Sequence, residues 1–182
     1  MNLLFTRTFF RHPRMLGSII PSSRFLVRNL LETVDWANAL VIVEYGPGLG
    51  TVTQEILARM RPDAKLIAIE LNTEFVQHLR TNISDKRLQV VEGSAESVAA
   101  VLSAQNAQAS YIVSGIPFST LPPRIRKHIL LESRRVLEPG GRFVLYQFSR
   151  QLLPELRSVF RHVQTRFEPL NLLPAHVFFC SG

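Results

Sequence analysis

The feature that most constrains this fold is a regular alternation of short apolar runs with amphipathic segments, beginning near residue 40. The apolar runs have the length and the Val and Ile content of buried strands. They cover residues 39–45, 64–71, 87–93, 109–118, 142–149, 162–170 and 175–181. A segment with helical spacing follows each of the first five runs. This order predicts right-handed crossovers and a parallel sheet covered by helices on both faces.

The end of the chain departs from this alternation. The predicted helices cover residues 51–60, 73–83, 94–105, 123–137 and 151–160, and a Pro-Gly-Gly turn within 138–141 ends the longest of them. No helix separates the last two strand-like runs, so we expect them to form an antiparallel pair at the sheet edge. The sequence therefore predicts an α/β protein with a mostly parallel, seven-stranded sheet and an antiparallel last strand.

Length and composition limit the class of protein. A chain of 182 residues with 46% hydrophobic residues supports one domain with a substantial core. The single cysteine, Cys180, cannot form an internal disulfide, and the five histidines lack zinc-site spacing, so no metal is expected. No run approaches the roughly 18 apolar residues of a membrane span, and the N-terminus lacks a signal-peptide core. We expect a cytoplasmic protein.

Charge favours an anionic partner. Lys and Arg number 21 against 14 Asp and Glu, a net charge of +7, which suits nucleic acid or an acidic membrane surface, or only aids solubility. Residues 1–35 are predicted to form a basic and aromatic helical segment in front of a domain at 36–182. Phenylalanines and arginines alternate between residues 5 and 14. That pattern suits a membrane-surface or lid element, an RNA-tracking segment, or a helix packed on the sheet.

A glycine-rich turn follows the first strand. Gly46, Gly48 and Gly50 let the backbone turn sharply and approach a ligand without Cβ atoms in the way. A dinucleotide-binding loop would place its last small residue at Thr51, and no Lys-Ser or Lys-Thr pair follows as in a P-loop. An acidic residue, Glu44, precedes the first glycine. The loop is therefore of a different nucleotide-cofactor type.

The string from Glu44 to Gly50 resembles motif I of the Rossmann-like S-adenosylmethionine-dependent methyltransferases. The resemblance implies a three-layer sandwich with S-adenosylmethionine as cofactor. It places Glu70 where a carboxylate accepts both ribose hydroxyls, and residues 94–96 where adenine is contacted. The implied cofactor-binding residues lie at the ends of the first four strands and are Glu44, Tyr45, Gly46, Gly48, Gly50, Glu70, Leu71, Ser94, Ala95 and Ser114.

Two families of methyltransferase suggest an acceptor. Residues 115–118, Gly-Ile-Pro-Phe, resemble the Asn-Leu-Pro-Tyr motif of rRNA adenine dimethyltransferases, with Gly115 in place of the asparagine. Residues 9–26, 43–53, 111–122 and 145–149 together resemble the bacterial soluble-type phosphatidylethanolamine N-methyltransferases. The second resemblance implies methylation of an ethanolamine head group by a protein on the inner face of the membrane. RNA adenine methylation and cofactor binding without catalysis are the alternatives.

These resemblances assign roles on the acceptor side. Gly115, Ile116, Pro117 and Phe118 are expected to shape the acceptor slot, with Phe118 against a methylated ammonium. The amine must lose a proton before transfer. The candidate proton acceptors are Tyr45, Tyr146 and His176; the candidate phosphate ligands are Arg24, Arg124 and Arg126; and Ser22 and Ser23 are expected to close over the cofactor.

Overall fold

The computed structural model describes residues 23–182, which form one seven-stranded sheet in the order β3-β2-β1-β4-β5-β7-β6. The strands are β1 (Val41–Tyr45), β2 (Lys65–Glu70), β3 (Leu88–Glu92), β4 (Ala109–Ser114), β5 (Leu137–Gln147), β6 (His162–Glu168) and β7 (Ala175–Ser181). Pairing is parallel from β3 through β5, and β7 is antiparallel to both β5 and β6. The predicted mostly parallel sheet with an antiparallel last strand is confirmed.

Helices connect the strands as the alternation predicted. They are α1 (Arg24–Leu31), α2 (Thr51–Arg59), α3 (Thr73–Asn82), α4 (Val98–Ser103), α5 (Pro123–Val136) and α6 (Leu153–Val159), with 3₁₀ turns at Ala95–Ser97 and Phe118–Thr120. Ser23 begins α1, since its side chain accepts the Leu26 N–H at 3.2 Å. Asn72 caps α3 in the same way. The predictions for Ser22 and for the aromatic and basic residues 5–14 lie outside the described residues.

The core consists of two apolar layers, one on each face of the sheet. On one face, residues of α1 and α2 such as Leu26, Leu30 and Ile56 pack against the strands and are fully buried. On the other face, α4, α5 and α6 supply residues such as Leu130 and Leu156. Thus α1, which falls within the predicted N-terminal segment, shares the core of the sheet.

The boundaries of β4 and β5 differ most from the sequence prediction. β4 ends at Ser114, so residues 115–118 belong to the following loop. β5 begins at Leu137, the last residue of the predicted helix, and runs through the predicted turn. Leu137 pairs with Ala109, and the strand resumes pairing at Arg142 after an irregularity. The predicted antiparallel pair at the sheet edge is confirmed, with β7 beside β5 and β6 outermost. Long-range pairing decides these boundaries, which local patterns do not contain.

The irregularity in β5 yields a stability prediction. A Cβ on Gly141 would lie 3.0 Å from the carbonyl oxygens of Ala109 and Glu138 and 3.1 Å from that of Ser110. These are backbone atoms that cannot turn aside, so Gly141→Ala should lower the free energy of unfolding by about 2–3 kcal/mol in urea denaturation. Gly140→Ala is the control: Gly140 has φ +84° but open space around it, and should cost about 1 kcal/mol. Equal losses would contradict the prediction.

Candidate functional site

Three neighbouring strands end side by side, and we call the space beyond their carboxyl ends the first cleft. Tyr45, the last residue of β1, pairs with Ile69 of β2 and with Ser114 of β4. In open α/β sheets, ligands bind in the crevice beyond such strand ends. The structure therefore brings the motif at 44–50, the end of β2 and the residues after β4 together at one edge of the sheet.

The glycine loop has the backbone geometry that its composition predicted. Gly46, Gly48 and Gly50 have φ values of 65°, 55° and 84°, a left-handed region that side chains disfavour. A Cβ on Gly46 would also lie 3.3 Å from Cγ1 of Ile116. The loop leads directly into α2, whose N-cap is Gly50. At Gly50 a Cβ would also lie 2.9 Å from the side chains of Leu79 and Ile83, so glycine is required there both for the turn and for the close packing.

Glu70 is a buried carboxylate at the end of β2, with 5% of its surface exposed. One oxygen accepts the Gly48 N–H at 3.1 Å, and the other accepts the Asn72 N–H at 2.9 Å. Burial raises the pKa of Glu70, and these backbone hydrogen bonds act in the opposite direction. Sequence reasoning assigned this residue to the ribose alone, whereas the structure shows that it also holds the glycine loop against β2.

Glu44 is a second buried acid, one residue before the end of β1, with 2% exposure. The Thr53 hydroxyl donates to it at 2.7 Å. Burial raises the pKa of Glu44 from its ordinary value of 4.5 to about 8; the Thr53 hydrogen bond opposes the shift, and the nearby charge of Glu70 adds to it. Within residues 23–182 no ion pair neutralises Glu44, and a buried acid of this kind suits a site that receives a positively charged ligand.

The end of β3 and the residue after Glu70 complete this half of the cleft. Leu71 is 72% exposed, although it is a large apolar residue beside a buried strand. Ser94 caps the 3₁₀ turn by accepting the Glu96 N–H at 3.2 Å, and Ala95 is buried beneath it. An exposed apolar side chain can cover one face of a planar ring. Small and polar residues nearby can contact its other face and its edge.

A second cleft of about 280 Å³ opens beyond β4 and β5. Its lining includes Gly115, Ile116 and Pro117. The Gln147 side-chain amide donates to the Ile116 carbonyl at 2.8 Å and to the Tyr146 carbonyl at 2.6 Å, and so ties the two strand ends together. The sequence prediction gave Gln147 no role, because its position beside residue 116 arises only when β4 and β5 pair.

The structure corrects two predictions for this cleft. Tyr45 is fully buried; its hydroxyl lies 3.1 Å from the Ser133 hydroxyl, and burial raises the pKa of its phenol. Phe118 is also fully buried, edge-on to Phe143 at 6.2 Å between ring centroids. Neither side chain faces the acceptor side, so Tyr45 is no proton acceptor and Phe118 contacts no ammonium group here. Ser114 is buried too, and its hydroxyl accepts the Ile116 N–H at 3.3 Å.

Comparison with known proteins identifies the family. The family described as "Methyltransferase domain" matches residues 42–141, more than half of the chain. The chain is 33% identical over 189 residues to the ornithine lipid N-methyltransferase of Singulisphaera acidiphila, covering 98% of this chain and 95% of that protein. The chain belongs to the S-adenosylmethionine-dependent methyltransferases.

Other relatives of this methyltransferase are more distant. It is 26% identical over 122 residues to the probable ribosomal RNA small subunit methyltransferase A of Pyrococcus abyssi, covering 67% of this chain and 40% of that protein. Its fold is similar to that of precorrin-6y C5,15-methyltransferase from Geobacter metallireducens, with a TM-score of 0.71 at 16% identity, covering 85% and 86% of the two chains. The structural likeness supports the Rossmann-like methyltransferase fold.

The residues of the first cleft fit S-adenosylmethionine, the cofactor of this methyltransferase family. The glycine loop would border the methionine portion, and a side chain at Gly46 would meet Ile116. Glu70 offers two carboxylate oxygens for the ribose hydroxyls, and exposed Leu71 offers an apolar face for the adenine. Burial raises the pKa of Glu44, and a cationic cofactor beside it would favour the ionised form, which would then carry the charge opposite to that of the cofactor.

The remaining residues to which the sequence prediction assigned a role differ in their partners and exposure. His176 lies opposite Gln147 in the β5–β7 pair, and its pKa is lowered by burial and by the charge of Arg150. Arg126 forms an ion pair with Glu155 at 2.6 Å, so it is not a free phosphate ligand. The other two candidate phosphate ligands, Arg24 and Arg124, are exposed.

Residues 23–182 lack both a metal-binding cluster and a membrane-spanning helix. No group of three or more His, Cys, Asp or Glu side chains there has the arrangement of a metal site. Over the same residues, every helix is too short or too polar to cross a bilayer.

Proposed function

We propose that this methyltransferase transfers methyl groups to the primary amine of a membrane lipid head group. The observation that carries the proposal is the similarity to an ornithine lipid N-methyltransferase along 98% of this chain, which includes the acceptor side as well as the cofactor motif. The ethanolamine head group of a phospholipid is the first candidate, supported by the sequence strings at 111–122 and 145–149. Ornithine lipid is the second, supported by the relative's name.

RNA adenine is a weaker candidate because of Gly115. In the resembled rRNA adenine dimethyltransferases, an asparagine at this position supplies the acceptor for the adenine amino group. Here a Cβ on Gly115 would lie 3.1 Å from the carbonyl oxygen of Gly46, so the space for a side chain is filled by backbone. A small aliphatic amine needs no such amide.

The chain's residues perform positioning and proton removal. Bound S-adenosylmethionine supplies an electrophilic methyl group. The Gly115 and Ser114 carbonyls would face the amine and orient its lone pair towards the methyl group. Of the predicted proton acceptors, Tyr146 lines the acceptor cleft, and His176 has a lowered pKa that keeps its ring unprotonated at neutral pH.

A labelling experiment tests the substrate class. The protein is incubated with methyl-labelled cofactor and, separately, with vesicles of phosphatidylethanolamine, vesicles containing ornithine lipid, phosphatidylcholine vesicles without a primary amine, and ribosomal subunits. We expect label in one or both amine-containing lipids and none in phosphatidylcholine. Label in RNA but not in lipid would favour the adenine alternative. Cofactor binding without transfer would indicate a cofactor-binding protein without catalysis.

Substitution of Gly115 should affect transfer more than cofactor binding. In Gly115→Ala the new methyl group meets the Gly46 carbonyl, so the loop after β4 must shift. Because this loop lies at the reacting centre, its shift should lower kcat/KM for the lipid about 100-fold, roughly 2.7 kcal/mol. The binding constant for S-adenosylhomocysteine should change less than tenfold. Gly140→Ala, at a distant turn, is the control; equal activity of the two variants would contradict the prediction.

A further inference from the structure

The loop between β6 and β7 carries an exposed apolar surface. We define the apolar loop surface as Phe167, Leu170, Leu172 and Leu173, which are 55%, 59%, 74% and 45% exposed. Within residues 23–182 these are four of the nine large apolar side chains that are exposed. Surface loops are ordinarily polar, and contiguous exposed apolar groups mark an interaction site.

The polar groups of this loop point inward and hold it in place. Glu168 is 6% exposed; it accepts the Leu170 N–H at 2.6 Å and the side-chain N–H of Asn29. The Asn171 side chain accepts the Ser23 N–H and donates to the Leu173 carbonyl, both at 2.9 Å. The leucines therefore remain exposed on a loop that is anchored to α1.

The apolar loop surface lies at the same edge of the sheet as the acceptor cleft. Because His176 pairs with Gln147 in antiparallel register, the loop that precedes β7 lies beyond the carboxyl end of β5. Phe148 follows Gln147, is 38% exposed and lines the acceptor cleft. Phe148 and the apolar loop surface therefore lie at the same edge of the sheet, and we call them together the apolar strip.

Unpaired cations flank this strip. Arg24 follows Ser23, the residue bonded to the loop, and Arg150 lies close enough to His176 to lower its pKa. Both arginines are exposed, and neither forms an ion pair with another residue of the described part of the chain. Apolar side chains bordered by cations complement a bilayer that contains anionic lipids.

We propose that the apolar loop surface inserts into the acyl boundary of an anionic bilayer and holds the acceptor cleft over the lipid head groups. This rests on the proposed lipid substrate, which identifies a bilayer as the occupant of a surface continuous with the cleft. The leucines supply apolar burial, and Arg24 and Arg150 contact lipid phosphates.

Vesicle flotation of the full chain tests this proposal without any methyl transfer. The vesicles are phosphatidylcholine with or without phosphatidylglycerol. The wild type should bind the anionic vesicles, and a triple serine variant of the loop should bind at least roughly tenfold more weakly, since each leucine loses apolar burial. The control carries serine at two exposed leucines outside the loop and should bind like the wild type. The variants are Leu170→Ser/Leu172→Ser/Leu173→Ser and the control Leu40→Ser/Leu131→Ser, whose leucines are 48% and 46% exposed.

A fluorescent label locates the inserted residue. Leu172→Cys provides one reactive thiol, because Cys180 is fully buried and burial raises the pKa of its thiol to about 12. An environment-sensitive dye at residue 172 should shift to the blue on anionic vesicles. Unchanged emission, or wild-type vesicle binding by the triple variant, would overturn the proposal. So would a wild-type dimer that the triple variant converts to a monomer with vesicle binding intact, which would make the surface a contact between copies.

Different results would contradict the lipid-substrate proposal and the membrane-insertion proposal. Wild-type binding to vesicles with no transfer to any lipid would end that proposal and leave membrane insertion standing. Normal vesicle binding and lipid methylation by the triple variant would end the insertion proposal alone. A third comparison uses a short-chain amine lipid below its micelle concentration. The triple variant should methylate this lipid at the wild-type rate.

Discussion

Replacing Glu70 with alanine is expected to weaken S-adenosylhomocysteine binding about 1000-fold, roughly 4 kcal/mol. The Glu70 carboxylate is buried at the end of β2 and offers two oxygens to the ribose hydroxyls, and hydrogen bonds to a charged group contribute about 1.5–3 kcal/mol each. The substitution also removes the acceptor for the Gly48 and Asn72 N–H groups, so the glycine loop loses its anchor. Isothermal titration calorimetry measures the effect.

Glu92→Gln is the matched control for this experiment. Glu92 lies directly opposite Glu70 in the β2–β3 pair, but it is exposed and its carboxylate accepts the Thr73 hydroxyl at 2.6 Å. Its neutralisation should leave cofactor binding within about twofold of the wild type, because surface charges contribute little. Circular dichroism shows whether both variants remain folded. Wild-type affinity in a folded Glu70→Ala variant would contradict the assigned role of Glu70.

Glu44→Gln is expected to remove a large pH dependence of stability. The folded-state pKa of Glu44 is about 8 and its ordinary value is 4.5, so between these values the folded protein binds a proton that the unfolded chain has released. Wild-type stability therefore falls as pH rises through this window, by up to about 1.4 kcal/mol per pH unit, and levels off above it. From pH 5 to pH 9 this amounts to roughly 4 kcal/mol relative to Glu44→Gln. Urea denaturation between pH 5 and pH 9, without cofactor, measures the difference.

Cofactor binding should reverse the effect of burying Glu44. A cationic ligand beside this acid favours its ionised form, so S-adenosylmethionine binding near pH 7 should release a proton in the wild type and less in Glu44→Gln. Calorimetry in two buffers of different ionisation enthalpy detects that proton. Stability curves for wild type and Glu44→Gln that run parallel from pH 5 to pH 9 would show that Glu44 is ionised throughout. Glu92→Gln again serves as the control, because its carboxylate is exposed.

Much of the cofactor side was predictable from sequence because its requirements are local. A left-handed backbone at Gly46, Gly48 and Gly50 favours residues without a Cβ, so the loop is visible in the sequence itself. The strand and helix periods likewise placed Glu44 and Glu70 at strand ends. The acceptor side was harder, because its lining comes from residues 115–117 and 146–151, which meet only when β4 and β5 pair.

The sequence by itself determined the alternation of strands and helices, the glycine loop, and the strand-end acids, since each depends on residues close together in the chain. Only the tertiary structure decided that Tyr45 and Phe118 face the core, because their burial depends on residues from distant parts of the chain that pack over them. It likewise decided that β7 lies between β5 and β6, and that the leucines of the β6–β7 loop point outward. Those outcomes depend on pairing and burial between distant segments, whose free energy no local pattern contains.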